Sequence, residues 1–133
     1  MASYTISINR TDLTNGQGTL NYKGSFQATY TCWWDPKDAI PAGKYLGCSK
    51  TYLTSKTNSK GGKREGIYFA NVTGRKGIFI HYWPGPGAKL SVWSDGCTLV
   101  TEDNMLAMWK DITPSDASNV IIDVTDSTPS TGG

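Results

Sequence analysis

Apolar and polar positions alternate along this chain in short runs, and glycine, proline and asparagine break the runs. Tyr4, Ile6 and Ile8 fall on one face and Thr5, Ser7 and Asn9 on the other, which is the period of a strand. Asn15-Gly16-Gln17-Gly18 reads as a turn. Residues 19–22 and 25–34 predict a hairpin turning near Lys23-Gly24, with Phe26, Ala28, Tyr30 and Cys32 on one side. Trp33-Trp34 interrupts the alternation and predicts a plug at a core edge. Ile40-Pro41-Ala42-Gly43 is a turn feeding a strand over 44–49. A long polar excursion is expected over 50–63, then a strand over 65–71 with Ile67 and Phe69 facing one way. The turn 72–77 returns the chain into a short strand, 78–81, whose hairpin sets His81 at one end of a sheet.

Only 101–112 has helical spacing, with Met105, Leu106 and Trp109 recurring. Thr101 is its cap, Glu102 and Asp103 suit its positive end, and Thr113-Pro114 stops it. A closing strand is predicted over 119–125. The 133 residues imply one domain, 1–126, followed by a Ser/Thr/Pro/Gly tail, 127–133, expected to be disordered in isolation or to dock on a partner. Hydrophobic content of 38% and charged content of 18% are both low, which suits an all-β chain rich in turns.

Net charge of +2 is too small to argue for nucleic acid. The basic residues Lys56, Lys60, Lys63 and Arg64 nonetheless cluster around Gly61-Gly62. They read as a solvated mobile loop, or else as a lip for an anionic polymer such as cell wall. No apolar run reaches bilayer length. The opening MASYTISINR lacks the basic start and apolar stretch of a signal peptide, so the expectation is synthesis in the cytoplasm with delivery outward by other means. Of three cysteines, Cys32 and Cys48 read as small buried hydrophobes that would pair only in an oxidising compartment.

The third, Cys97, belongs to a different pattern. Between Gly77 and Val100 runs GIFIHYWPGPGAKLSVWSDGCTLV, in which the chain's one histidine, His81, ends a strand-like run. Cys97 follows sixteen residues later in Ser94-Asp95-Gly96-Cys97, just before Leu99 and Val100. A thiol of pKa about 8.5 is mostly protonated at neutral pH and needs a base to become a nucleophile. His81 is the only imidazole that can serve. The N–H groups of Gly96 and Cys97 are candidates for an oxyanion hole, and Gly96 permits close approach of substrate. One histidine and scattered cysteines give no ligand spacing, so no metal is expected, and no cofactor motif is present.

Ile80-His81 followed by Ser94-Asp95-Gly96-Cys97 resembles the catalytic core of the L,D-transpeptidases. Ile40-Pro41-Ala42-Gly43-Lys44-Tyr45 is similar to a segment of their small single-domain relatives from phages and secreted anti-bacterial effectors. The resemblance extends over about 4–124. It implies a mainly β fold, a sandwich or partly closed barrel with one short helix after the nucleophile. It implies Cys-dependent acyl transfer or hydrolysis on peptidoglycan stem peptides, with Cys97 attacking and His81 shuttling the proton. Ser94 or the backbone near Tyr82 would orient the ring, and Tyr82, Trp83, Asp95 and Lys89 would meet substrate. The chain departs from the pattern in three places. Tyr82-Trp83 stand where many members have glycine, Asp95 where they have a second histidine, and Thr98-Leu99 where they have arginine. Asp95 opposes thiolate formation, and the missing arginine leaves Lys89 as the replacement for a carboxylate-binding fork. The alternative reading is a catalytically inactive component of a virion or secretion apparatus that binds cell wall or a neighbouring protein.

Overall fold

The computed structural model describes residues 3–127, apart from the side chain of Thr54. Eight strands are present: β1 (Tyr4–Asp12), β2 (Gln17–Lys23), β3 (Gln27–Trp33), β4 (Gly43–Thr57), β5 (Lys63–Tyr68), β6 (Phe79–Tyr82), β7 (Thr98–Val100) and β8 (Val120–Asp126). A short helix α1 (Leu90–Trp93) lies between β6 and β7, and α2 (Glu102–Asp111) between β7 and β8. The strands close into a barrel in the order β1-β2-β3-β7-β6-β5-β4-β8. Of the two architectures the sequence allowed, the chain adopts the barrel, and it closes completely.

Closure depends on β8. It runs parallel to β1 from Tyr4↔Val120 to Arg10↔Asp126 and antiparallel to β4 through Gly43↔Val124, so neither edge is left unpaired. The alternation in β1 does what its pattern predicts: Tyr4, Ile6 and Ile8 are buried among Leu20, Tyr22, Ile67, Ile80 and Ile122. Helix α2 adds Met105 and Met108 to the same cluster, and Ile112, just after it, joins them. Its N-terminus is capped by the Thr101 hydroxyl, which accepts from the Asn104 N–H at 3.4 Å. At its other end Asp111 accepts from the Tyr22 hydroxyl at 2.5 Å and from both the amide and hydroxyl of Ser25. Among the described residues no helix is long and apolar enough to cross a membrane.

Several local expectations are corrected. The polar stretch 50–63 is not an excursion. Strand β4 continues through it to Thr57 and pairs with β5 through Tyr52↔Glu65 and Leu53↔Arg64. Thr51, Tyr52 and Leu53 fit a pleated surface, while Lys50 is buried because its Nζ donates to the Trp109 carbonyl at 2.9 Å, 3.8 Å from that indole ring. Only 58–62 remain as a loop, and it is pinned: the Asn58 side chain accepts from the amides of Lys60 and Gly62, and Ser59 donates to Glu102.

Strand β5 ends at Tyr68, although Phe69 stays buried and donates its N–H to Ile78 at 2.8 Å. Phe26 precedes β3 and is 37% exposed against the Tyr22 ring. The tryptophan pair divides. Trp34 enters the core beneath Arg10, and Trp33 packs on Trp83 at 5.1 Å between ring centroids. Helix α1 had no sequence signal. Cys32 and Cys48 are buried and unpaired, on strands that are not neighbours in the barrel. Of the tail, Ser127 bonds to β1 through the Arg10 carbonyl and the Asn9 side chain; 128–133 lie outside the described residues.

Candidate active site

Strands β6 and β7 run parallel and adjacent, with Ile80↔Thr98, His81↔Leu99 and Tyr82↔Val100 in register. Alternation sends Ile80 and Val100 into the barrel core and turns His81 and Leu99 the other way. There Leu99 joins a second apolar cluster with Cys97 and Trp83, edged by Trp33, Phe79, Leu90 and Trp93. Cys97, the residue before β7, thus stands on the same face as His81, two register positions before it. Both side chains line a cavity of about 300 Å³, whose walls also include Leu53, Lys56, Arg64, Trp93 and Asp95.

His81 is only 3% exposed. Its Nδ1 lies 2.9 Å from the Tyr82 carbonyl; with the proton on Nδ1, Nε2 is left as the basic nitrogen. Burial pushes the imidazole down to about 4, the carbonyls of Tyr82 and Trp93 pull the other way, and the positive charges of Arg64 and Lys56 lower it further. Cys97 is 6% exposed. Its Sγ accepts from the Phe79 N–H at 3.4 Å and donates to the Gly77 carbonyl at 3.8 Å. Burial pushes this thiol up to about 11; the Phe79 amide opposes that, Asp95 adds to it, and Arg75 and Arg64 lower it. At neutral pH both groups are uncharged, and among the described residues no hydrogen bond joins them.

The turn before the thiol is fixed from both sides. The Ser94 hydroxyl donates to the Cys97 carbonyl at 2.5 Å, and the Cys97 N–H donates to the Ser94 carbonyl at 2.6 Å. Asp95 and Gly96 both have positive φ, 44° and 94°. Arg75 donates to the Asp95 carbonyl at 3.1 Å and to the Asp38 carboxylate at 3.0 Å, which holds that carboxylate below the usual range. Its guanidinium packs where a side chain at Gly96 would have to stand.

The site residues expected from the sequence therefore divide. His81, Cys97, Ser94 and Asp95 share the cavity. Ser94 orders the turn and makes no hydrogen bond to the ring among the described residues; the Tyr82 carbonyl orients it instead. Of the two expected oxyanion donors, the Cys97 N–H is already committed to Ser94, whereas the Gly96 N–H has no acceptor among the described residues. Tyr82 packs against Trp93 at 5.3 Å. Trp83 sits outside this cavity, in a separate groove with Trp33 and the Pro84–Pro86 loop. Lys89 is exposed before α1 and does not reach the cavity. Arg64 and Lys56 are the cations that do. Extending the strand pattern through 50–57 would have found them, because that extension pairs Leu53 with Arg64 across the hairpin.

The structure thus holds a closed barrel with a thiol and an imidazole lining one cavity beside a Ser-x-Gly-Cys turn. The family profile of the L,D-transpeptidase catalytic domain, YkuD, matches residues 3–122, and the chain belongs to that family. Among solved structures it is similar to an L,D-transpeptidase from Mycobacterium smegmatis, with a TM-score of 0.54 and 14% identity over 90% of this chain. At that identity the likeness is one of fold. The chain spans 58% of the mycobacterial chain. No curated protein sequence matches it.

Proposed function

We propose that this domain carries out Cys-dependent acyl transfer or hydrolysis on peptidoglycan stem peptides. The observation that carries the reading is the placement of Cys97 and His81 on one face of the β6–β7 pair, in one cavity. In the reaction Cys97 Sγ attacks an amide carbonyl while its proton passes to His81 Nε2. The new C–S bond leaves an oxyanion to which the Gly96 N–H is the available donor. Collapse breaks the C–N bond, and His81 returns the proton to the leaving amine. An incoming amine then resolves the thioester in transpeptidation, and water resolves it in carboxypeptidase action. The test is incubation with purified muropeptides followed by mass spectrometry. Cross-linked or trimmed products from the wild type, absent with Cys97→Ala, are expected; identical product profiles for the two proteins would refute the reading.

A second reading is favoured by the neutral, buried state of both groups and the commitment of the Cys97 N–H. In it the domain is an inactive module of a virion or secretion apparatus that holds cell wall or a neighbouring protein. Retention on insoluble peptidoglycan, unchanged by Cys97→Ala and without turnover, distinguishes it.

A further inference from the structure

Arg64 is the better fixed of the two cations in the cavity wall. Its Nε donates to the Thr57 carbonyl across the hairpin at 2.8 Å. Its guanidinium lies 4.6 Å from the Trp93 ring and 5.2 Å from the Tyr82 ring. Among the described residues only Nε donates a hydrogen bond, which leaves the Nη groups for another partner. Of the acids nearby, Glu65, the next residue along the strand, accepts from Asn58, and Asp95 makes no ion pair among the described residues. Among the described residues the ion pairs are Arg10–Asp126 and Arg75–Asp38, and neither involves Arg64. A guanidinium held beside two rings and anchored at one nitrogen loses little freedom when it binds a planar anion. Lys56 brings a second positive charge into the same cavity.

We infer that Arg64, with Lys56 beside it, forms a carboxylate-binding subsite next to Cys97 that takes a free carboxylate of the peptide substrate and so selects which acyl group meets the thiol. The assignment of that carboxylate to a substrate rests on the acyl-transfer reading. Two sources share the chemistry: the α-carboxylate at a peptide's end and the side-chain carboxylate of a residue within it. A subsite on the β4–β5 hairpin would supply what the chain lacks after Cys97, where Thr98 and Leu99 are buried in β7 and offer no cation.

Two measurements test this. Iodoacetate and iodoacetamide both form an S–CH2 bond at Cys97 with loss of iodide, and they differ only in carrying a carboxylate or an amide. Their rate ratio, read by peptide mapping, cancels any change in thiol ionisation. Arg64→Gln should lower the iodoacetate-to-iodoacetamide ratio about tenfold, the order expected for one charge-assisted hydrogen bond, and Arg64→Lys should keep most of it. An unchanged ratio in Arg64→Gln overturns the subsite. In a Cys97→Ala background, stem peptide with free carboxylates is compared with forms amidated at the end or at the internal acid. One amidation should weaken binding about tenfold, and Arg64→Gln should erase the difference. Equal binding of all three forms overturns the inference. The alkylation ratio needs no wall substrate. If it behaves as expected but muropeptides are not turned over, the acyl-transfer reading fails and the anion subsite stands.

Discussion

Replacing Gly96 by alanine should loosen the turn before Cys97 by an amount that depends on Arg75. The backbone at Gly96 has φ of 94°, where a side chain is strained by roughly 1–3 kcal/mol. The added Cβ would stand 2.6 Å from Arg75 Nη2, and 2.9 Å from both Arg75 Cζ and Ile78 Cδ1. Ile78 is 2% exposed and has nowhere to go, so the guanidinium must yield. In yielding it gives up its bond to the Asp95 carbonyl and its pairing with Asp38, each worth about 0.5–1 kcal/mol at this partly exposed position. The expected loss is about 2–5 kcal/mol, which most domains of ordinary stability survive. Urea unfolding followed by tryptophan fluorescence measures it. A double-mutant cycle isolates the clash: Gly96→Ala should cost at least about 1 kcal/mol less when Arg75 is already alanine. A loss below about 0.5 kcal/mol, or the same loss with and without Arg75, would refute the reasoning.

His81 should also make stability depend on pH. Its folded value of about 4 lies below the ordinary 6.5, so as pH falls the unfolded chain takes up the proton first. The contribution is complete above about 6.5 and is lost towards pH 4, at most about 3 kcal/mol. Denaturation at pH 7 and pH 4.5 should show a smaller difference for His81→Gln than for wild type; equal slopes would contradict the buried neutral ring. Asp111→Ala should cost about 2–3 kcal/mol, because it leaves the Tyr22 hydroxyl and Ser25 without their acceptor. Adding Tyr22→Phe to Asp111→Ala should recover part of that loss, and a purely additive pair would show that the contact does not matter.

What could be read from the sequence followed from how locally each feature is encoded. The alternation of Tyr4, Ile6 and Ile8, the cap at Thr101 and the acidic first turn of α2 are short-range signals, and each corresponds to an observed element. The continuation of β4 was hidden because its polar residues face outward and Lys50 is buried by a partner far along the chain, the carbonyl of Trp109. Helix α1, four residues with no capping side chain, has too little pattern to detect. At the site, His81 and Cys97 were legible as a pair because their residue types and spacing are unusual. The roles of their neighbours were not. Whether Ser94 holds a ring or a carbonyl depends on a turn two residues wide, and whether Lys89 or Arg64 reaches the cavity depends on strand pairing across the barrel.

Burial, more than proximity, sets the resting state of the pair. With the thiol at about 11 and the imidazole at about 4, transferring the proton from one to the other in the closed cavity opposes a gap of roughly 9 kcal/mol, less the attraction between the charges formed. A standing thiolate–imidazolium pair is therefore not the ground state here. The neighbours divide: the Tyr82 and Trp93 carbonyls stabilise a protonated ring and the Phe79 amide and the two arginines a thiolate, while Arg64 and Lys56 oppose the first and Asp95 the second. In the acyl transfer proposed above, Cys97 would stay protonated until the proton moves as the bond to carbon forms, when neither full charge has to persist in the apolar wall. The same balance makes the free protein a poor thiol reagent at neutral pH, with alkylation of Cys97 still rising well above pH 9. A plateau in that rate below pH 8 would mean that the preformed ion pair exists after all.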